Sequence, residues 1–314
     1  MDNLNFSIII PHYNVPKLLA RCLYTIPQRD DLEVIIVDDN SSPGIVDFDN
    51  FPGKDRPNTR IILDKKGGGG GYARNKGLEV ARGKWVLFSD SDDYFTYCFN
   101  DMLDKYANSE ADVVYFKTLS CDTEYYTPAL KDGGANRFID ITRIDKNRGE
   151  FLLKYTFVAP WSKLIKREII VNNNIHFDEV PVCNDGTFAY LVGYYAKTIE
   201  VEEHAIYIST IRQGSVSAIF TDDKKLIRID VYSRGESFLR AHNVDIKINY
   251  QYYDLHDFLI HRKYDFFRKG FNIVKKYNPS DLYIYYRILR LVPHKIGGKV
   301  RRVFAIVLKK LHLI

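Results

Sequence analysis

Sulfur is scarce in this sequence: 314 residues hold four cysteines and two methionines. Cys22, Cys98, Cys121 and Cys183 are scattered, and neither a Cys-x-x-Cys nor a His-x-x-x-His pair occurs. A structural zinc site therefore has no support. The same scatter offers no disulfide framework and matches a reducing cytosol. Long apolar runs are missing too. In the last stretch the longest, Val303 to Leu308, is far too short to span a bilayer, and no signal peptide is apparent. Charge is only mildly one-sided, at +5, with no RNA-binding motif or basic stripe, so nucleic acid is not an expected partner. A Walker loop is also lacking. Gly67 to Gly71 has no Lys-Ser/Thr ending and does not follow a first strand, so it reads either as a flexible loop or as a place where backbone comes close to a ligand.

What is present is a set of strands that end in carboxylates. Trp85 to Ser89 is an apolar run followed by Asp90, Ser91, Asp92 and Asp93. If the run is a buried strand, the carboxylates emerge where a parallel sheet places its ligand. Asp90 and Asp92 can turn toward one hard cation carrying diphosphate oxygens, although Asp-rich turns are also ordinary surface features. Upstream, Phe6 to Ile10 and Glu33 to Val37 read as strands, and Ile61 to Leu63 as a third. Val15, Leu18, Leu19, Cys22, Leu23 and Ile26 repeat at helical spacing, with Asn14 as the expected N-cap and Pro16 in the first turn. A second helix is expected over Tyr72 to Arg82. This alternation predicts an α/β fold whose mostly parallel sheet is covered on both faces. Three polar loops, Pro11 to Asn14, Asp38 to Ser42 and Asp90 to Asp93, should then converge on one edge as a pocket. His12 reads as a pocket-wall residue rather than a metal ligand.

Farther along, a helix is expected over Phe95 to Ala107, a strand over Ala111 to Phe116, and polar loops over the cleft from Ser120 to Asn147. Trp161 reads equally as a sugar-stacking or a core residue. Asp185 to Tyr195 looks helical, and beyond residue 220 helices are expected over Asp254 to Phe267 and Leu282 to Leu291.

The ordered set FSIIIPHYN, EVIIVDDNSS, GYARNKGLEVARGKWVLFSDSDD, WSKLIKREII and NDGTF resembles the inverting family 2 glycosyltransferases over residues 5 to 215. That resemblance implies the GT-A fold, with a catalytic domain over 1–220 (nucleotide-sugar half 1–95, acceptor half 96–220); beyond it, the shift in composition and the helical spacing read as a helical extension over 221–314. The resemblance also implies a nucleotide-sugar donor, UDP by default. Asp39, with Asp38 beside it, would bind the base, and the backbone near Pro11 and Tyr13 would line the same pocket. The metal-binding D-x-D falls on Asp90 and Asp92, for Mn2+ or Mg2+, with Ser91 between them. Arg74 would lie near the donor phosphates. The catalytic base falls on Asp185, where the family's Glu-Asp pair reads Asn184-Asp185. The Asn removes a charge. Arg212, opening the segment Arg212 to Ser217, is a further phosphate candidate.

Such a reaction needs these residue types. A leaving diphosphate calls for a cation, and an acceptor hydroxyl calls for a carboxylate base on the far side of the anomeric carbon. A nucleotidyltransferase and a non-catalytic nucleotide- or glycan-binding module remain as alternatives. Residues 295 to 314 carry Lys295, Lys299, Arg301, Arg302, Lys309 and Lys310 with no acidic residue. They read as a basic amphipathic helix on an anionic membrane surface or as a terminal helix docked on its own domain. A cytoplasmic, peripheral enzyme with a glycan acceptor on a lipid carrier is the matching expectation. Donor sugar, linkage and oligomeric state stay open.

Overall fold

A computed structural model describes residues 4–130, 132–212, 220–246 and 248–291. The chain divides into two compact units, Met1–Ala218 and Ile219–Ile314.

The first unit begins with strand β1 (Phe6–His12), helix α1 (Pro16–Tyr24), strands β2 (Leu32–Asp39) and β3 (Thr59–Asp64), helix α2 (Gly69–Val80) and strand β4 (Trp85–Phe88). β5 (Tyr94–Phe95), α3 (Phe99–Tyr106) and β6 (Val113–Asp122) follow, then α4 (Ala135–Ile144), α5 (Lys146–Tyr155), β7 (Lys163–Lys166), α6 (Arg167–Asn172), α7 (Gly186–Tyr195) and β8 (Ile199–Ile211). The strands form one sheet in the order β3-β2-β1-β4-β7-β6-β8-β5. β3, β2, β1 and β4 are mutually parallel, whereas β7 runs antiparallel to both β4 and β6.

β1 and β2 are buried along almost their whole length because both faces of the sheet are covered, which explains their unbroken apolar sequences. After β1 the chain builds outward through β2 and β3, then returns to the other side of β1 as β4. The crevice at that reversal is where an open α/β sheet binds ligands. Pro11 fits within β1 because β4 pairs no farther than Ile9–Phe88, so the missing N–H falls past the end of that ladder. On one face Phe177 stacks on Phe188 at 3.9 Å and meets Phe88 edge-on at 4.9 Å. Each such ring contributes about 1.5–3 kcal/mol by leaving water.

Several expected elements shift. Asn14 does not cap α1: Val15 holds that position, and Asn14 is left-handed at φ 55°. Its amide N–H bonds Ser41 Oγ at 2.8 Å and its Oδ1 accepts from the Ser42 N–H at 2.8 Å. Those bonds join the first two polar loops. The Phe95–Ala107 helix begins only at Phe99, because Tyr94 and Phe95 pair with β8. Part of the Ser120–Asn147 stretch is regular, since β6 reaches Asp122 and α4 follows. Trp161 is core: it is buried and stacks on Tyr207 at 5.4 Å.

The second unit contains α8 (Asp222–Ala241), α9 (Tyr250–Ile260), α10 (Tyr264–Tyr277) and α11 (Asp281–Arg290). The helix expected over Asp254 to Phe267 breaks at Arg262, which is left-handed at φ 57°. The Lys263 N–H there closes back on the Phe258 carbonyl at 2.8 Å, a bond that ends helices. This unit has its own core, including Ile229, Tyr252, Leu255, Phe258, Phe271 and Ile284. Residues 295 to 314 lie outside the described residues.

Candidate active site

The three polar loops meet at the carboxyl ends of β1, β2 and β4. His12 pairs with Asp38 across the β1–β2 register. Its Nδ1–H donates to Asp38 Oδ2 at 2.8 Å while its Nε2 accepts from the Val15 N–H at 3.2 Å. Burial lowers the pKa of His12 against the opposing pull of Asp38, which suits a neutral ring used as a bracket. Asp38 also accepts from the Ser41 N–H at 3.0 Å and is fully buried. It offers no surface to a ligand, so its expected place in base binding is revised to holding the loop behind the pocket.

Asp39 is buried as well, and its two oxygens accept from the Gly68 and Gly69 amides at 2.8 and 2.7 Å. The glycine run is therefore tied to β2 through its backbone. Gly69 is at φ 85°, where glycine alone is unstrained. Gly71 lies so close to the next segment that a Cβ would stand 2.1 Å from the Asp178 carbonyl. Pro11 is half-buried and Tyr13 is exposed at the mouth of the crevice.

Asp90, Asp92 and Asp93 present carboxylate oxygens that all lie within 4.8 Å of one another. Their roles separate by burial. Asp93 is fully buried; it accepts from the Tyr207 hydroxyl at 2.8 Å and from the Thr210 N–H at 2.6 Å. The same Tyr207 oxygen accepts from the Asp90 N–H at 2.9 Å, so one phenol pins both ends of the loop. Ser91 is buried between them. Asp90 and Asp92 are half-exposed. Arg74 bonds Asp90 Oδ1 at 2.5 Å, and the Arg212 Nε–H bonds Asp92 Oδ2 at 2.8 Å. An all-oxygen, carboxylate-rich cluster fits Mg2+ or Mn2+ and fits zinc poorly. Asp90 and Asp92 are the residues that would hold it. Gln213 to Ser217, the rest of the family-like segment that Arg212 opens, lie outside the described residues.

Arg74 also joins this loop to the segment that bears Asp185. Its second guanidinium nitrogen donates to Asn184 Oδ1 at 3.0 Å. A glutamate at 184 would compete with Asp90 for that cation; the neutral amide orients Arg74 and leaves its charge to Asp90. Asp185 sits at the N-cap position of α7, yet its side chain makes no cap bond. Burial pushes its carboxyl above the usual carboxylate range and Asp90 adds to the rise, while Arg74 and Lys163 oppose it. Lys163 is buried, donates to the Phe157 carbonyl at 2.8 Å, and is lowered to about 7, chiefly by burial.

Asp39 with the glycine run, Arg74, Asp90, Asp92 and the segment bearing Asp185 are thus linked at one edge of the sheet. Sequence reading missed Tyr207, Thr210 and Lys163, and it missed Arg21, which donates to the Asp92 carbonyl. No local pattern marks them, since Arg21 on α1, Lys163 on β7 and Tyr207 and Thr210 on β8 reach the site only through the tertiary fold.

Comparison with known proteins gives a consistent picture. The family described as "Glycosyl transferase family 2" matches residues 7–172. The putative glycosyltransferase EpsH of Bacillus subtilis is 25% identical over 77% of this chain and 71% of its own length. The glycosyltransferase GlyA of Streptococcus pneumoniae is 25% identical over 74% of this chain, which spans only 34% of that relative. Among solved structures, residues 1–349 of Staphylococcus aureus TarS in complex with UDP-GlcNAc align with a TM-score of 0.62 at 22% identity, covering 96% of this chain and 88% of that one. The Pyrobaculum calidifontis mannosyltransferase PcManGT, solved with GDP-Man and Mn2+, aligns at 0.52 and 13% identity over 97% and 80%. At these identities the structural likeness speaks for the fold, which is GT-A.

Proposed function

Because this chain belongs to glycosyl transferase family 2, we propose that it moves a hexose or N-acetylhexosamine from a UDP-sugar to a hydroxyl of a glycan acceptor, inverting the anomeric centre, in cell-surface polysaccharide synthesis. One observation carries this reading: a carboxylate cluster at the sheet edge is joined through Arg74 to the segment bearing a second, separate carboxylate. The UDP-GlcNAc in the TarS complex and the Mn2+ in PcManGT support a nucleotide-sugar donor and a divalent cation.

The crevice by Pro11, Tyr13 and Asp39 receives the nucleotide. Asp90 and Asp92 would hold the cation, which would supply Lewis-acid neutralisation of the leaving diphosphate. Arg74 and Arg212, already paired with those carboxylates, add fixed positive charge beside the phosphates. Asp185 accepts the proton of the acceptor hydroxyl as its oxygen attacks the anomeric carbon, and the bond from that carbon to the phosphate oxygen breaks. No helix among the described residues is long and apolar enough to cross a membrane. We assign contact with the cytoplasmic membrane face to residues 295–314, on their composition alone.

The direct test is UDP binding by calorimetry with and without Mn2+. Asp92→Ala should lose the Mn2+-dependent part of the affinity, whereas Asp185→Asn should keep it and lose sugar transfer. Unchanged Mn2+ dependence in Asp92→Ala would reject the metal assignment; near-normal transfer by Asp185→Asn would reject the base.

A further inference from the structure

Beyond its pairing with β8, β6 continues into a hairpin that the proposed reaction does not use. The Asp122 N–H donates to the Thr127 carbonyl at 2.8 Å, and Asp122 Oδ1 accepts from the Glu124 and Tyr125 amides, both at 2.8 Å. This well-bonded turn buries neither of its aromatic rings: Tyr125 is 73% and Tyr126 56% exposed. Tyr126 is also left-handed, at φ 57°. That conformation is costly for a bulky side chain, and here no core packing is gained in return.

The hairpin is tethered to the metal loop twice. Arg21 donates to the Asp92 carbonyl with its guanidinium 4.7 Å from the Tyr94 ring centre and 5.8 Å from that of Tyr126. On the other side, the N–H and the hydroxyl of Thr123 each bond the Ile211 carbonyl at 3.0 Å, and the next residue, Arg212, holds Asp92. One guanidinium therefore separates the exposed ring of Tyr126 from the carbonyl of a metal-loop residue.

Asp122, Thr123, Glu124 and Thr127 flank the two tyrosines in the hairpin sequence. The carboxylates of this hairpin disfavour an anionic lipid headgroup, while two exposed phenol rings beside the exposed Glu124 suit an uncharged polyol that stacks its C–H face on a ring and bonds to polar groups at the edge. We propose that the Asp122–Thr127 hairpin is a carbohydrate platform for the acceptor glycan, with Tyr126 as its main stacking face. This rests on the glycosyltransferase reading above and deepens it by naming where the acceptor chain lies.

The test uses the full chain carrying Asp185→Asn, so that bound glycans are not consumed, with UDP and Mn2+ present. It is applied to an array of neutral oligosaccharides, and dissociation constants are measured for those retained. Adding Tyr126→Ala should weaken glycan binding about tenfold. Tyr126→Phe should stay within about twofold of the parent, and Tyr97→Ala, which removes an exposed ring elsewhere, should change nothing. Equal affinity in Tyr126→Ala overturns the proposal. So does the absence of saturable glycan binding, or Tyr126-dependent binding to phosphatidylglycerol vesicles or to a second copy of the chain. Loss of Mn2+-dependent UDP binding in the same protein would instead mark a failure of the underlying reading.

Discussion

Asp185 is where chemistry and stability pull in opposite directions. Burial and the neighbouring Asp90 favour its protonated form, so ionising it near neutral pH costs the fold stability. The stability given by the protonated form is complete below the ordinary carboxylate range and is lost as pH rises through the raised pKa. In the role proposed for it, as a base that must be ionised, Asp185 would therefore carry a stability penalty in the free protein. Asp185→Asn, neutral at every pH, should melt at a higher temperature than the parent at pH 8. The two melting curves should converge below about pH 4, where both side chains are neutral. In the parent, the acidic limb of the pH–rate profile should lie above that of an unperturbed carboxylate. Equal melting temperatures at pH 8 would contradict the environment assigned to Asp185. Asp93 shows the opposite use of the same residue type. Buried and doubly bonded, it holds the loop in which its neighbours work.

At the scale of elements, the approach of α2 to the segment before α7 decides whether the two halves of the site meet. Gly71 begins that contact: a methyl group there would stand 2.1 Å from the Asp178 carbonyl and 3.0 Å from Asn184 Cβ. Backbone cannot yield cheaply, so Gly71→Ala should destabilise the protein by about 1–3 kcal/mol. It should also lower kcat, because the displaced segment carries Asn184 and Asp185. Gly44→Ala is the control, since its added methyl meets only Ser42 Oγ, at 3.7 Å. Chemical denaturation and initial rates on the two variants check both halves of this expectation. A variant Gly71→Ala with unchanged midpoint and rate would mean that the contact is dispensable.

At the scale of the whole molecule, the first unit holds the candidate site residues, and the question is what the second unit, Ile219–Ile314, adds to it. The helices of the second unit have an independent core, and the chain ends in a stretch with six basic residues and no acidic one. Each basic side chain near an anionic surface is worth on the order of 1 kcal/mol. Removing residues 295–314 should thus release the protein from phosphatidylglycerol-containing vesicles in a sedimentation assay, with Mn2+-dependent UDP binding retained. Unchanged vesicle binding would assign membrane contact elsewhere or nowhere.

The alternating strands and helices of the first half, the convergence of their polar ends and the D-x-D at β4 are all local patterns. Apolar runs of strand length, helical periodicity and glycine or proline stops mark them in the sequence, which also singles out Asp90 and Asp92, whereas Asp39 and Asp185 became candidates only through the resemblance to the family. Tertiary structure alone assigned Asp38 and Asp93 to holding loops, moved Asn14 from a helix cap to a loop clasp, and placed Trp161 in the core. It alone brought Tyr207, Arg21 and Arg212 onto the loop of Asp90 to Asp93. Those outcomes depend on burial and on partners far away in the chain, and a carboxylate's role is set by which donors fold against it rather than by its sequence neighbours.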